Sequence, residues 1–206
     1  MSTIPEVTRP AFMDSRTCRA LSAACLGESA ARRLYLAAAC AMEDAALHVI
    51  AHALRFTAAQ EQEHEAIFRG LLTANGAPAP VLQEEPRPLP HSPEELLAHI
   101  IQTESDEAEK LYPHNARIAA EEVYPRIAAT FLRVGETEAL HAKRFRQYAK
   151  ALADGTLFRD DQRISWLCLG CGQFHAGLEA PPSCTACGRN QGHFIRSNHH
   201  PFMVEG

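Results

Sequence analysis

The chain has 206 residues, 46% of them hydrophobic and 22% charged, with a formal net charge of −5. This length suits one sizeable core plus a small one, and the acidic balance leaves no basic footprint for a nucleic-acid partner. The longest uncharged apolar run, Leu34 to Met42, is closed off by Arg33 and Glu43; it falls far short of the roughly 20 residues that span a bilayer, so no membrane partner is expected. Pro5, Glu6, Pro10 and Asp14 stand where a signal peptide needs a basic start and an apolar core, which predicts a cytoplasmic protein.

Periodicity predicts four helices, over about Ser15 to Met42, Asp44 to Ala74, Pro93 to Ala120 and Tyr124 to Leu152. They pair as two helical hairpins. Cys18, Cys25 and Cys40 of the first helix read as small buried apolar side chains. Between the hairpins, Asn75 to Ser92 carries Gly76, Pro78, Pro80, Pro86, Pro88 and Pro90, so it cannot continue a helix and is expected to cross over in an extended form. Ser92, Pro93 and Glu95 then read as an N-cap, a first-turn proline and the acid of a capping box. The helical pattern stops at Ala153-Asp154-Gly155. The expected organisation is a helical bundle over 1–152, a polar linker over 153–162 and a cysteine-rich domain with a tail over 163–206.

The inward stripes can be written out by three-four spacing. The first helix gives Leu21, Ala24, Glu28, Ala31, Tyr35, Ala38 and Met42. The second gives Leu47, Ile50, Leu54, Thr57, Glu61, His64, Phe68 and Leu71, and the third Leu97, Ile100, Glu104, Glu107 and Leu111. The fourth gives Ile127, Phe131, Val134, Glu138, His141, Phe145, Tyr148 and Leu152. Five glutamates and two histidines thus fall on predicted core stripes, whereas His48 and His52 lie off the seam and read as surface residues. Buried unpaired carboxylates cost several kcal/mol each in order of magnitude, so such a set needs compensating cations or protons. Residues three apart share a helix face, so Glu61 with His64, Glu104 with Glu107, and Glu138 with His141 can each serve one site.

The pattern also repeats. Glu28 to Glu61 is 33 residues and Glu104 to Glu138 is 34, while Glu28 to Glu104 is 76 and Glu61 to Glu138 is 77. One E-x-x-H alone would be a weak sign. A glutamate from each of two helices, with E-x-x-H from the other two, is the di-iron or di-manganese carboxylate pattern of ferritin-like bundles. Mixed oxygen and nitrogen ligands suit iron or manganese better than zinc.

Four of the seven cysteines form two C-x-x-C pairs, Cys168 with Cys171 and Cys184 with Cys187, twelve residues apart and each followed by glycine (Gly172, Gly188). An odd cysteine count with such pairs points to metal ligation rather than a disulfide framework. Two knuckles make one tetrahedral tetrathiolate site, which takes either structural zinc or a one-electron iron. The neighbouring dinuclear site favours iron.

With these motifs in this order, the chain resembles the rubrerythrins from about Cys18 to Ile195. The resemblance rests on Gly27-Glu28-Ser29 with Arg32 and Tyr35; Glu61-Gln-Glu-His64; Glu104-Ser-Asp-Glu107 with Tyr112-Pro113; Glu138-Ala-Leu-His141; and Trp166-Leu-Cys168 through Glu179-Ala180-Pro181 to Cys187. It departs in the knuckles, which lack the proline often found there, and in the tail from Ser197 to Gly206. It implies an all-α ferritin-like four-helix bundle with a small C-terminal rubredoxin-like β/knuckle domain.

It further implies a peroxidase that reduces hydrogen peroxide at a di-iron centre, with electrons from an external donor relayed through one tetrathiolate iron. Glu61 and Glu138 then bridge the irons; Glu28 is terminal on one, and Glu104 and His141 on the other. Glu107 and His64 alternate on the first iron with its redox state, and Tyr35 and Tyr112 hydrogen-bond ligand carboxylates. A head-to-tail homodimer is implied as well. The rival readings are a ferroxidase or oxygen reductase on the same bundle, and a non-catalytic iron-storage or zinc-ribbon interaction protein.

Overall fold

The computed structural model describes residues 11–81, 90 and 92–199. Helix α1 (Arg16–Asp44) starts where Ser15 Oγ accepts the N–H of Cys18 at 3.0 Å, and packs along α2 (His48–Ala74). Half of the predicted crossover, residues 82–89 and 91, lies outside the described residues. On its far side Ser92 Oγ accepts the N–H of Glu95 at 3.1 Å and opens α3 (Pro93–Asp106), as the capping box predicts. The chain stays helical through a π-helical turn (Glu107–Leu111) into α4 (Tyr112–Glu121), then reverses into α5 (Pro125–Ala153). No described helix is long and apolar enough to cross a membrane.

The π turn corrects the predicted stripe of the third helix. Tyr112 N–H reaches back to the carbonyl of Glu107, five residues earlier. Pro113 follows at once and has no N–H for a regular helical bond. The wider turn adds one residue to the winding, so Leu111, expected inside, is 42% exposed and Tyr112 is buried instead. It also accounts for the uneven repeat. Glu28 and Glu104 are 76 apart, ahead of the turn; beyond it, Tyr35 and Tyr112, Glu61 and Glu138, and His64 and His141 are all 77 apart. The hairpin corners obey the same offset. Ala46 (φ 56°) and Val123 (φ 63°) occupy matching left-handed corners, followed by matching 2.8 Å bonds from Leu47 N–H to Met42 and from Tyr124 N–H to Ala119.

Each long helix carries two apolar segments with acids between them. One cluster gathers Ala38, Met42, Ile50, Leu54, Leu97, Ile100 and Phe145. The other gathers Leu21, Cys25, Phe68, Leu72, Tyr112 and Phe131. The polar layer between them is flanked by packed hydrocarbon on both sides, which excludes water and strengthens every charge interaction within it. Cys18 and Cys25 are buried as expected, but Cys40 is exposed; it falls between the inward positions Ala38 and Met42, on the opposite side of α1.

The small domain is a three-stranded antiparallel sheet in the order β2–β1–β3, formed by β1 (Arg159–Cys168), β2 (Phe174–Glu179) and β3 (Phe194–Arg196). Strand β1 begins inside the segment expected as linker. Its first half is polar and exposed, and an irregularity in pairing separates Arg159 from Ile164, so the sequence there has no strand alternation to read. Trp166, Cys168, Ala180, Cys184 and Phe194 form its core. Leu167 and Ile195 join the bundle's apolar cluster.

At this junction a Cβ on Gly192 would lie 1.8 Å from the carbonyl oxygen of Ala46, an approach only glycine permits. His48, expected on the surface, is half-buried and stacks on His193 with ring centroids 3.7 Å apart. A helical wheel cannot show this contact, because the partner comes from residues far along the chain. His52 is exposed, as expected. Residues 200–206 of the predicted tail lie outside the described residues.

Candidate metal centres

Six of the predicted bundle ligands meet in one buried layer. Ligand atoms of Glu28, Glu61, His64 and Glu138 lie within 4.8 Å of one another, as do those of Glu61, Glu104, Glu138 and His141. Glu61 and Glu138 belong to both groups. The two imidazoles turn Nδ1 inward. His64 Nδ1 is 3.0 Å from Glu138 Oε1 and 3.2 Å from Glu61 Oε2, while His141 Nδ1 is 2.7 Å from Glu138 Oε2 and 2.9 Å from Glu61 Oε1.

The electrostatics are those of a cage built for cations. Burial, then repulsion from Glu138 and Glu61, pushes the Glu28 carboxyl well above the usual carboxylate range. Burial raises Glu104 to about 7 even though His141 opposes the shift. At Glu61 burial is outweighed by the close imidazoles of His141 and His64, which hold it at about 2. Burial would lower both histidines, but the carboxylates around them win, raising His64 to about 9 and His141 to about 11. Among the described residues, the buried side-chain atoms without a hydrogen-bond partner are Glu28 Oε2, Glu61 Oε1, Glu104 Oε2, both oxygens of Glu138 and His141 Nδ1. All belong to this cage. Buried polar atoms are rarely left unpaired, and two divalent ions shared across Glu61 and Glu138 would engage them.

Tyrosines close the cage crosswise between the hairpins. Tyr35 on α1 donates to Glu104 Oε1 at 2.5 Å, and Tyr112 on α4 donates to Glu28 Oε1. Burial raises both phenols well above their usual value, so they remain donors and fix the carboxylates they touch. Glu107 stands apart from the six. It sits on the π turn, half-buried, beside a surface depression of about 520 Å³ that it lines with Thr103, Asp106, Lys110, Leu111 and His114. Burial, then repulsion from Glu104, Glu138 and Glu61, raises its carboxyl to about 8.

Sequence reasoning missed three supporting residues. Gln60 stands behind His141, its Oε1 3.2 Å from His141 Nε2, and Arg144 donates to that same oxygen at 3.2 Å; the sign available was a glutamine next to one ligand and an arginine three residues after another. In the small domain, His175 Nε2 lies 3.4 Å from Cys184 Sγ.

The four cysteines meet at the tip of the sheet. Cys168 Sγ is 3.8 Å from Cys187 Sγ, and Cys171 Sγ is 3.7 Å from Cys184 Sγ. Metal–thiolate bonds of about 2.3 Å in a tetrahedron put the sulfurs about 3.8 Å apart, so the cluster fits one ion. Each knuckle turns on its glycine, Gly172 at φ 78° and Gly188 at φ 75°, where a side chain would be strained. Cys168 and Cys184 are buried, while Cys171 and Cys187 are exposed.

The sequence matches the rubrerythrin family over residues 19–149. The rubrerythrin of Nitratidesulfovibrio vulgaris is 32% identical over 181 residues, covering 87% of this chain and 93% of that protein. The chain belongs to the rubrerythrin family. Another rubrerythrin, from Clostridium perfringens, is 34% identical over 140 residues, covering 67% of this chain and 72% of that protein. Among solved structures, nigerythrin in a fully reduced, all-ferrous state is similar with a TM-score of 0.62 and 26% identity, covering 95% of this chain and 100% of that one. A Desulfovibrio desulfuricans bacterioferritin, at 16% identity and a TM-score of 0.64, covering 68% of this chain and 82% of that one, shares the helical fold alone. Rubrerythrins are oxidoreductases, and the carboxylate–histidine cage and the four-cysteine cluster match the family's iron sites.

Proposed function

We propose that this rubrerythrin reduces hydrogen peroxide to water, taking electrons from an external donor through the four-cysteine iron. The observation that carries this reading is the pairing, in one chain, of a dinuclear cage with a tetrathiolate site. Peroxide needs two electrons and two protons to become two waters, and the tetrathiolate iron passes electrons one at a time. The iron pair, when bound, supplies the two-electron capacity. Glu61 and Glu138 would bridge it, Glu28 would hold one ion, and Glu104 with His141 the other.

The protein's own groups support the chemistry around the pair. Tyr35 and Tyr112 keep Glu104 and Glu28 in place. Glu107 lines the surface depression beside the cage, a position suited to guarding the approach of a small substrate. His64 stands within the first ligand group, and Glu107 is near enough to feel the charges of Glu138 and Glu61, which both groups share; this supports an exchange between the two. The Glu107 carboxylate would suit a site holding more positive charge, and the neutral His64 imidazole one holding less.

Within one chain, His193 of the small domain docks on His48. Glu61 lies thirteen residues farther along α2, about 20 Å at 1.5 Å per residue. We take electrons to pass between chains of a homodimer, where the path need not follow α2.

The test is stopped-flow mixing on the parent and on Cys171→Ala. The reduced parent should oxidise faster with peroxide than with oxygen; the reverse order would favour an oxygen reductase or ferroxidase. Cys171→Ala should lose donor-driven steady-state turnover yet keep the parent rate in a single turnover after chemical reduction. Donor-driven turnover at the parent level would make the four-cysteine domain structural.

A further inference from the structure

We infer that Gln60 and Arg144 form a tether that fixes the tautomer of His141 and makes it the permanent imidazole ligand of the pair, leaving His64 as the one free to move. The inference rests on the ligand assignment proposed above. It starts from a group whose hydrogen-bonding direction is certain. A guanidinium only donates, and Arg144 Nη1 donates to Thr57 Oγ1 at 2.7 Å and to Gln60 Oε1 at 3.2 Å. Thr57 gives its own proton to the carbonyl of Ala53 at 3.0 Å, so its lone pairs are left for Arg144. Arg144 is further pinned by its stacking over Phe56, 5.1 Å from the ring centroid.

With Arg144 placed, the amide of Gln60 has one satisfactory orientation. Its oxygen must face the guanidinium, because its NH2 would set donor against donor. The same oxygen lies 3.2 Å from His141 Nε2. That nitrogen faces an acceptor and so keeps its proton when a metal takes the place of the proton that the cage carboxylates hold at Nδ1. Nδ1 is the nitrogen that points into the cage, with carboxylate oxygens of Glu138, Glu61 and Glu104 at 2.7, 2.9 and 3.5 Å. Three side chains thus settle one proton, and they hold the ring at both ends.

The internal repeat supplies a natural control. Shifted by 77, Thr57 and Gln60 correspond to Val134 and Thr137 on α5, and Arg144 corresponds to Ile67 on α2. Val134 and Ile67 have no side-chain group to donate or accept, and Thr137 turns its hydroxyl back to the carbonyl of Arg133 at 3.2 Å, with no hydrogen bond to His64. Among the described residues, His64 makes its polar contacts through Nδ1 alone. One imidazole is therefore anchored behind and the other is held only by the cage.

The experiment uses the full-length iron-loaded protein and compares Gln60→Leu, Gln60→Glu and His141→Ala. Proton NMR of the reduced protein reads solvent-exchangeable imidazole N–H signals shifted by the iron, and ferrous-ion competition reads affinity. The parent should show one protected N–H. Gln60→Leu should lose that protection and bind one of the two bundle irons about 10–100-fold more weakly, the usual cost of removing an outer-shell partner. Gln60→Glu keeps an acceptor and should restore both. Retention of the protected N–H and of parent affinity in Gln60→Leu, while His141→Ala loses an iron, overturns the tether and leaves the ligand assignment standing. Parent affinity in His141→Ala overturns the assignment itself. Four-cysteine absorption and helical circular dichroism confirm that each variant is folded.

Discussion

The α1–α2 hairpin and the hairpin of α3, α4 and α5 send the same residue types into the cage but grip them differently. Glu28, Tyr35, Glu61 and His64 have counterparts in Glu104, Tyr112, Glu138 and His141, and each tyrosine crosses to hold the other half's glutamate. The first hairpin runs as regular helix past its ligands, whereas the second widens at Glu107–Leu111 and so sets a spare carboxylate beside the cage. His141 is backed by Gln60, and His64 meets only the cage. A duplicated scaffold thus yields a site with one stiff side and one adaptable side, through a single extra residue and a few side chains that break the repeat.

The sharpest way to break the comparison is to remove a residue that both halves share. Glu138→Ala should empty both bundle positions, lowering iron from three per chain, one for each ligand group, to about one. Donor-driven peroxide turnover should fall to background while four-cysteine absorption persists. Metal analysis with an absorption spectrum reads this directly, and loss of both signals would mean that the two sites do not bind metal independently.

Next in size is the adaptable side. His64→Ala should assemble normally when oxidised but be re-reduced at least roughly tenfold more slowly, a barrier increase of about 1.4 kcal/mol. Glu107→Ala should do the opposite, leaving the reduced pair intact and weakening the oxidised one. Rapid-mixing reduction of each variant checks the pair, and an unchanged rate in His64→Ala would sink the ligand exchange.

The crossed tyrosines sharpen the symmetry instead of breaking it. Tyr35→Phe and Tyr112→Phe should each weaken ferrous-ion binding by about tenfold, at the low end for an outer-shell partner, and by similar factors. Competition titration would expose unequal roles if one variant lost far more than the other.

The smallest effect concerns the metal-free protein. Glu104 and Glu107, raised to about 7 and 8, favour the folded state only while protonated, so their contribution fades as pH climbs from about 4.5 through those values. His64 and His141, raised to about 9 and 11, stabilise the fold fully below about 6.5 and lose that contribution as pH rises through the folded values. Glu61, held at about 2, acts in the other direction, stabilising the fold above about 4.5 and failing toward pH 2. Metal-free protein should therefore melt at a lower temperature at pH 9 than at pH 6. Iron-loaded protein should show a smaller difference, because bound cations replace the protons. Parallel thermal scans with and without iron test this.

Much of this was legible along the chain because helices repeat. Glu28, Glu61, His64, Glu104, Glu138 and His141 fall on stripes that also carry Leu21, Leu54, Ile100 and Phe145, so one periodicity located both core and cage. Failures came where periodicity changed or stopped. Leu111 was misplaced because the π turn adds a residue, although the offsets of 76 and 77 already held that information. The start of β1 was missed because an exposed, irregularly paired strand leaves no alternation. Cys40 followed the habit of its residue type rather than its position on the wheel.

By itself, then, the sequence determined the helical bundle, the four-cysteine knuckles and the residue types that can hold two kinds of iron site, because these follow from spacing along one element. Tertiary structure alone decided which carboxylates are shared, which tyrosine crosses to which glutamate, that His48 stacks on His193, and that Arg144 and Gln60 stand behind one histidine and not the other. Those are contacts between elements far apart in the chain, set by how the two hairpins and the small domain pack, and no local period encodes them.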